Sequence, residues 1–190
     1  MTRELVVIGA GSHASVVIDI IEQVGKDRIV GLLDDTKTGE YDGYKILGTT
    51  AILQELVHLH TEYFIVAIGD NETRRTLYQK ALHWRLIPLT IIHPSAQISP
   101  KAIIGEGTVM MPNVVVNAHA EIGDNIILNT GCTVDHHCVV HNHAHLAPGV
   151  HLAGNVSVAQ GALVGIGKSV RPNSMIDEGG RIVDCQDSSR

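Results

Sequence analysis

The chain is poor in two kinds of residue that often hold a fold together, aromatics and cysteines. Aromatic residues make up 3% of the sequence, and the three cysteines are Cys132, Cys138 and Cys185. Because aromatic rings are the bulkiest core side chains, their scarcity indicates a narrow core that is packed with aliphatic residues. We interpret Cys132 and Cys138 as small buried thiols and expect no disulfide between them.

Positive charge and long apolar segments are also scarce. The formal net charge of -6 gives no electrostatic reason to expect nucleic acid or an anionic membrane as a partner. No apolar run approaches the roughly 20 residues that span a bilayer. Met1 to Glu4 lead directly into a predicted strand without an apolar leader. We therefore expect a cytoplasmic protein.

The dominant pattern is a six-residue period. From Ile92 to Ile182 every sixth residue is aliphatic, and the position four further on is small or branched, with Lys168 as the bulky exception. Helices need apolar residues every three or four positions and half-buried strands every second one, so this period fits neither. It fits short strands joined by tight corners, in which three sides close one coil and residues about 18 apart stack. The uninterrupted phase also predicts that the coils contain no large loops.

This hexapeptide repeat predicts a parallel β-helix over residues 92–190, and it is typical of the left-handed form. The hand comes from that association, since general crossover rules would favour a right-handed turn.

Residues 1–91 alternate between buried strands and amphipathic helices, which predicts a Rossmann-like α/β half domain. Strands are expected at Leu5–Ile8, Arg28–Leu33 and Tyr63–Ile68, and helices up to Gly25 and from Glu72 to Arg85, the latter with Leu77 and Leu82 facing inward.

Polar or glycine-rich loops follow three of these strands. Gly9–Ala14 forms a strand–glycine turn–helix arrangement that can point backbone N–H groups at a phosphate, although Ser15 replaces the third glycine of the dinucleotide motif. Asp34 and Asp35 end the second strand, where an acidic residue can bind a ribose or a base. Gly69–Asn71 follow the third strand. A ligand-free turn and a solvated acidic loop are the alternatives. One half of a dinucleotide fold suits a nucleotide-linked substrate and is too small for a whole NAD.

Seven of the 12 histidines lie between His119 and His151. The hexad register places all of them outward or at corners, and it predicts that His119 stacks on His137. An imidazole can remove a proton from an amine or a hydroxyl near neutral pH. Asp135, or an acid from a neighbouring chain, is a candidate to orient the ring of His136. Simple surface exposure is one alternative, and zinc binding by His136 and His141 is another, although no third ligand is evident.

A series of motifs follows in chain order: Gly-Ala-Gly-Ser-His-Ala at 9–14, Leu-Asp-Asp at 33–35, Ala-Ile-Gly-Asp-Asn at 67–71, Ile-His-Pro-Ser-Ala at 92–96, Leu-Asn-Thr at 128–130, Val-Asp-His-His-Cys at 134–138 and Ala-Gly-Asn-Val at 153–156. Together they resemble the bacterial nucleotide-sugar acetyltransferases of the hexapeptide-repeat family. That family includes UDP-4-amino-sugar N-acetyltransferases and sialic acid O-acetyltransferases. The resemblance covers about residues 4–170.

The resemblance implies a homotrimer that transfers acetyl directly from acetyl-CoA to the amino group of a nucleotide-linked amino sugar, in surface glycan biosynthesis. It implies that His136 is the general base and that Asn129 and Asp135 assist it. The implied CoA-site residues are His145, Gly165 and Ile166. The predicted nucleotide-sugar residues are Gly11, Ser12, His13, Asp34, Asp35, Gly69 and Asn71. No metal is expected.

The sequence departs from the family at two points. The family usually has an acidic residue directly after the catalytic histidine, whereas His137 stands there. The family also ends in a glycine-proline-alanine tail beside CoA, whereas Gly180–Arg190 is polar. We expect Asp135 or a partner-chain group to replace the acid, and an incomplete CoA site with weak activity. Three alternative functions stay open: a sialic acid-type O-acetyltransferase, a non-catalytic nucleotide-sugar-binding trimer and a zinc-dependent hydratase.

Overall fold

The computed structural model describes residues 2–58 and 62–184. It divides into two compact units, Met1–Pro94 and Ser95–Arg190, where the sequence placed the boundary after residue 91. The expectations for Met1, for Cys185 and for the polar ending beyond residue 184 lie outside the described residues.

The first unit is a sheet with helices between its strands. Its strands are β1 Arg3–Ile8, β2 Asp27–Leu33, β3 Glu40–Tyr41, β4 Tyr44–Gly48, β5 Tyr63–Val66, β6 Ile87–Pro88 and β7 Ile91–Ile92. Its helices are α1 Ser12–Val24, α2 Leu53–His58 and α3 Asn71–His83, and a 3-10 turn, Thr50–Ile52, precedes α2. The first six strands form one sheet in the order β3-β4-β2-β1-β5-β6. All its pairs are parallel except β3 with β4.

The order of this sheet reverses at β1. The chain passes from β1 to β2 and β4 on one side, and then returns to β5 and β6 on the other. Val7 accordingly pairs with Leu32 on one side and with Ile65 on the other. Open parallel sheets bind ligands outside the carboxyl ends of their strands, at such a reversal. The three loops that the sequence singled out all follow strands at this edge.

The predicted strands and both long helices are confirmed, with one error of orientation. Helix α3 buries Arg74, Leu77, Tyr78 and Ala81, which follow the i, i+3, i+4, i+7 spacing of a single helix face. Leu82 lies next to that face and is 41% exposed, so the prediction that it faces inward is wrong.

The second unit consists of very short strands separated by corners. They are β8 Gln97–Ile98, β9 Ile103–Ile104, β10 Val109–Met110, β11 Val115–Val116, β12 Glu121–Ile122, β13 Ile127–Leu128, β14 Thr133–Val134, β15 Val139–Val140, β16 His145–Leu146, β17 His151–Leu152, β18 Ser157–Val158, β19 Leu163–Val164, β20 Ser169–Val170, β21 Ser174–Ile176 and β22 Ile182–Asp184.

These strands form three parallel sheets, one for each side of a triangular coil. The sheets contain β10-β13-β16-β19, β8-β11-β14-β17-β20 and β9-β12-β15-β18-β21. Val134 pairs with Val116 below and with Leu152 above, which confirms the predicted stacking of residues 18 apart.

The inward positions are those that the period predicts. The aliphatic position of each hexad is at most 3% exposed from Met110 to Val170. Cys132 and Cys138 are free and buried on inward small positions, and burial raises the pKa of both thiols. The period fails at Ile182, which is 42% exposed. Strand β22 folds back antiparallel onto β21 and does not continue the coil.

The corners follow a rule of their own, which the aliphatic period does not reveal. From Gly107 to Asn173 the third residue after each aliphatic position has φ between 54° and 71°. Glycine, asparagine and histidine fill all of these positions, and they are residues that tolerate the left-handed region. His119, His137 and His143 are among them. The backbone therefore explains part of the histidine cluster.

Candidate active site

The first part of the site is the turn between β1 and α1. Gly9 has φ of +114°, and a Cβ there would lie 2.8 Å from Cγ1 of Ile68 and 2.9 Å from the carbonyl oxygen of Ala67. Gly9 is therefore required because the loop after β5 approaches the turn so closely. Gly11, the N-cap of α1, has φ of -97°. Among the described residues, no atom lies within 4 Å of a Cβ added to Gly11. The chain's own packing therefore does not require that glycine.

Asp34 connects this turn to the loop after β2. One carboxylate oxygen accepts the N–H of Ala10 at 2.8 Å, and the other accepts the N–H groups of Thr36 and Lys37, each at 2.9 Å. Burial opposes ionisation of Asp34, but the hydrogen bonds from Thr36, Ala10 and Lys37 outweigh it and lower the pKa of the carboxyl. Asp34 thus fixes the conformation of the loop after β2 and ties that loop to the glycine turn.

Asp35 is more exposed than Asp34 and holds a different segment. Its two oxygens accept the N–H of Thr50 at 2.7 Å and the hydroxyl of Thr50 at 3.1 Å. Lys80 donates to the same hydroxyl oxygen at 3.0 Å. The loop after β2 is thereby fixed to the start of the 3-10 turn.

Lys37 is a residue that the sequence analysis missed. Its ammonium donates to the carbonyl oxygen of Ala10 at 2.6 Å and lies 4.6 Å from the ring centroid of Tyr41. The hydroxyl of Tyr41 donates to the carbonyl oxygen of Gly11 and lies 2.9 Å from the hydroxyl of Ser15. The residue that replaces the motif's third glycine thus anchors the β3–β4 hairpin, and the lysine places a positive charge beside the glycine turn.

Arg74 is a second missed residue, and it organises the loop after β5. Its side chain is 1% exposed and donates to the carbonyl oxygens of Ile68 and Gly69 at 3.3 and 3.2 Å, and to Oδ1 of Asn71 at 2.9 Å. Burial lowers the pKa of the guanidinium to about 10, while the charge of Asp70 opposes the shift. A basic residue in the first turn of a helix opposes the helix dipole, and this was the available signal.

The three loops border a cleft of about 210 Å³. Its lining includes Gly9, Asp34, Asp35, Ile68 and Thr73. Of the other predicted substrate residues, Gly11, Ser12 and His13 lie at the start of α1, Gly69 lies in the loop after β5, and Asn71 begins α3. The loops that the sequence singled out therefore meet at one edge of the sheet.

The second unit carries the histidine that the sequence emphasised. His136 is exposed at the corner between β14 and β15, and its ring lies directly against Gly154 in the next coil. A Cβ on Gly154 would lie 2.5 Å from Cε1, 2.8 Å from Nε2 and 3.1 Å from Nδ1 of His136. A side chain at position 154 would therefore displace the imidazole from the place that it occupies. Gly154 belongs to the Ala-Gly-Asn-Val motif at 153–156, but its contact with His136 was not predicted, although counting 18 residues onward from His136 leads to it.

The partner of the His136 ring is a second histidine. Nδ1 of His136 lies 3.1 Å from Nδ1 of His137, and the two ring planes are 79° apart. His137 stacks on His119, with ring centroids 5.0 Å apart, as the coil arithmetic predicted. This contact engages Nδ1 of His136 and leaves Nε2 as the ring nitrogen that it does not use.

Asp135 contacts the backbone of His136, not its ring. Its Oδ1 accepts the backbone N–H of His136 at 2.7 Å and the side-chain amide of Asn117 at 2.9 Å. These two hydrogen bonds lower the pKa of the carboxyl. Asp135 therefore fixes the corner on which His136 is carried, and His137 takes the position beside the ring for which the sequence analysis proposed Asp135.

Within the described ranges, 2–58 and 62–184, no three His, Cys, Asp or Glu side chains come together as a metal site would require. The same ranges contain no helix with the length and apolar character needed to cross a membrane.

Comparison with known proteins gives consistent matches over both units. Residues 4–81 match the family model described as the PglD N-terminal domain. The acetyltransferase domain of PglB from Neisseria gonorrhoeae FA1090, solved in complex with acetyl coenzyme A, is 36% identical with a TM-score of 0.87, over 92% of this chain and 85% of that one. The chain belongs to the nucleotide-sugar N-acetyltransferases of the hexapeptide-repeat family.

Two further relatives of this acetyltransferase are named for sugars linked to different nucleotides. A histidine-to-asparagine mutant of perosamine N-acetyltransferase from Caulobacter crescentus, solved with CoA and GDP-perosamine, is 29% identical with a TM-score of 0.82, over 95% of this chain and 96% of that one. UDP-N-acetylbacillosamine N-acetyltransferase of Bacillus subtilis (strain 168) is 36% identical over 112 residues, which are 57% of this chain and 51% of that protein. These matches confirm the Rossmann-like first unit and the left-handed parallel β-helix.

In this acetyltransferase the predicted catalytic and CoA residues form separate groups within one chain. Asn129 follows β13 and donates from Nδ2 to Nε2 of His145, which begins β16 in the same sheet, at 3.2 Å. Asp135 and His136 follow β14 in a different sheet. Gly165 and Ile166 follow β19 and are exposed, Ile166 to 77%.

Proposed function

We propose that the chain transfers an acetyl group from acetyl-CoA to the amino group of a nucleotide-linked amino sugar, with His136 as the general base. The main observation behind this proposal is that the ring of His136 lies directly against Gly154. Gly154 leaves room for the ring of His136 to lie against the next coil, and a base that keeps one position can reach its substrate.

The proposed reaction is a direct displacement at the thioester. The amine nitrogen of the sugar attacks the carbonyl carbon of acetyl-CoA, and Nε2 of His136 removes a proton from that nitrogen. The tetrahedral intermediate then breaks its carbon–sulfur bond. The departing CoA thiolate takes the proton from His136, which leaves an amide, a thiol and the imidazole in its starting state. Proton transfer of this kind typically contributes about 10²- to 10⁴-fold to the rate.

The separation of the residues within one chain supports a homotrimer. Asn129 and His145 lie on one side of the coil, and Asp135 and His136 lie at the end of another. If two copies of the chain pack side by side, the first pair of residues from one copy can lie next to the second pair from the other. Ile103, Leu163 and Ile166 are apolar and more than half exposed in the single chain, as residues of an interface would be. We therefore propose that the active site forms between subunits.

The first unit is proposed to hold the nucleotide. A diphosphate would suit the start of α1, where Gly11 leaves the backbone open and the ammonium of Lys37 lies nearby. The carboxylates of Asp34 and Asp35 are suited to bind the nucleoside. The relatives include one that acts on a GDP-sugar and one that acts on a UDP-sugar by name, so both nucleotides are candidates.

CoA is proposed to contact the prism around Gly165 and Ile166. Among the described residues, no atom lies within 4 Å of a Cβ added to Gly165, so a ligand has room to approach its backbone. The free thiols Cys132 and Cys138 suit a reducing compartment, and we propose the cytoplasm.

The decisive experiment measures thiol release from acetyl-CoA with GDP-4-amino and UDP-4-amino sugars, for the wild type and two histidine variants. His136→Ala should lose most of kcat, whereas His141→Ala, an exposed histidine of the same cluster, should keep it. A wild-type rate for His136→Ala would remove the proposed base. Equal losses in both variants, together with zinc in the purified protein, would favour the hydratase. Mass spectrometry of the product distinguishes an amide from an ester, and light scattering tests the mass of three chains.

A non-catalytic nucleotide-sugar-binding trimer predicts a different result. Titration calorimetry would then show GDP or UDP binding without CoA binding, and no acceptor sugar would release thiol. The proposal predicts that both ligands bind to the same protein.

A further inference from the structure

The hydrogen bond between two imidazoles beside Gly154 is unusual for a catalytic base. Family resemblance leads one to expect a carboxylate next to the histidine, and Asp135 is committed instead to a backbone N–H and to Asn117. We propose that His137 is the positioning residue of the base: it accepts the Nδ1–H of His136 and thereby holds His136 in the tautomer with an unprotonated Nε2. This proposal rests on the proposed role of His136.

The position of one proton decides whether His136 can act as a base. Two Nδ1 atoms 3.1 Å apart can share one proton between them. If His136 supplies it, Nε2 of His136 carries a lone pair and can accept the proton of the sugar amine. If His137 supplies it, the proton of a neutral His136 is on Nε2, and no base faces the substrate. Once Nε2 has been protonated, both nitrogens of His136 are donors, and His137 must be the acceptor. The charged state therefore uses the same arrangement as the active neutral state, with a stronger hydrogen bond.

The surroundings of His137 hold its ring for this task. His119, one coil below, stacks on it with the planes 25° apart. The carboxylate of Asp135 faces the backbone of the same corner. The stacking on His119 orients the imidazole of His137, and the imidazole of His136 lies against Gly154 in the next coil.

The backbone does not require a histidine at this corner. His137 has φ of 59°, and the equivalent position one coil above is Asn155, with φ of 60°. Gly131, at the preceding corner, has φ of 71°. Asparagine and glycine therefore both fit the local geometry, which provides two variants that change the side chain without straining the corner.

These two variants form the test. In His137→Asn, Oδ1 branches from Cγ as Nδ1 of the imidazole does, so an acceptor remains near Nδ1 of His136. His137→Gly removes the acceptor. We expect His137→Gly to lose about 10- to 100-fold in kcat, with the KM values for acetyl-CoA and sugar within about twofold of the wild type. His137→Asn should recover most of that loss, and both variants should melt like the wild type. Wild-type kcat in His137→Gly, or equal losses in both variants, would overturn the proposal.

A spectroscopic measurement tests the hydrogen bond without any substrate. In protein labelled with ¹⁵N-histidine, nuclear magnetic resonance should show His136 as the Nδ1–H tautomer, with a scalar coupling across the bond to Nδ1 of His137. His137→Asn should abolish the coupling and keep the tautomer, whereas His137→Gly should lose both. An Nε2–H tautomer for His136 in the wild type would refute the positioning role.

The two proposals fail in distinguishable ways. If His136→Ala is inactive while His137→Gly keeps wild-type kcat, the general base stands and the positioning role is wrong. If His136→Ala is active, the proposed function itself loses its base, whatever the spectra show.

Discussion

A single added methyl group at Gly154 offers the sharpest test of how His136, the proposed base, is positioned. In Gly154→Ala the new Cβ would stand 2.5 Å from Cε1 of His136 and 2.8 Å from its Nε2. Ordinary contacts between such atoms are about 3.5 Å or longer, so the ring must move by roughly 1 Å or rotate away from the prism. His136 is exposed and free to turn outward, so little else has to move.

The magnitude follows from this displacement. A misplacement of about 1 Å in a catalytic group can cost about 100-fold in rate, or about 2.7 kcal/mol of transition-state stabilisation. We therefore expect kcat of Gly154→Ala to fall by about two orders of magnitude, while the KM values change little because neither proposed substrate site is touched. The melting temperature should stay within a few degrees of the wild type, since the exposed ring yields in place of the backbone.

The assay is thiol release at saturating acetyl-CoA and sugar, combined with thermal unfolding. Gly123→Ala is the matched control, because a Cβ there would clash with the side chain of Asn142 from the next coil and lie 3.0 Å from its backbone nitrogen. That amide side chain accepts the N–H of Asp124 at 2.9 Å, so the control should lose stability and keep kcat per folded molecule.

The outcome that refutes the reasoning is specific. If Gly154→Ala retains wild-type kcat while its imidazole is displaced in a crystal structure, the position of His136 on Gly154 has no role in catalysis. If both glycine variants lose activity in proportion to stability, the effect belongs to the prism and not to the base.

Three further predictions concern the first unit. Gly11→Ala should fold like the wild type, because its Cβ meets no described residue, and it should raise KM for the nucleotide sugar several-fold. Gly9→Ala should lose stability, because its Cβ has close contacts and its φ is +114°. Circular dichroism combined with kinetics separates the two effects. Arg74→Met should lower the free energy of unfolding by about 1–3 kcal/mol in urea titrations, since two carbonyls and an amide lose a buried donor. The pKa of Asp34 is lowered in the folded protein, so its stabilisation is present above the ordinary pKa of an aspartate and is lost as pH falls through the folded pKa. The difference in Tm between the wild type and Asp34→Asn should therefore shrink towards zero at low pH.

Much of the site could be predicted because repetition makes a sequence easy to interpret. A period of six fixes which residues face inward, and three sides per coil fix that residue 134 lies between 116 and 152. The stacking of His119 on His137 follows from the same count. In the first unit, the rule that parallel sheets bind ligands at their carboxyl ends was enough to bring Gly9 and the two aspartates to one cleft.

Other features depend on competition among neighbours, which a periodic pattern does not describe. Leu82 is apolar and lies next to the buried face of α3, yet it is exposed. Arg74 lies on that face and donates to the carbonyls of the loop after β5. Ile182 keeps the six-residue phase, but its strand turns back antiparallel and leaves it exposed. In both places the hydrogen-bonding partners depart from what the apolar pattern predicts.

The sequence by itself determined the coil, its register and the corner that carries His136, because backbone geometry repeats and each residue's height and side can be counted. The tertiary structure alone decided which atoms meet at that corner. Asp135 precedes His136 in the chain, but a backbone N–H and Asn117 bind its carboxylate, and the imidazole of His136 contacts His137. Side-chain partners are chosen by rotamers and by rival donors from other coils, and these are set only when the coils are stacked.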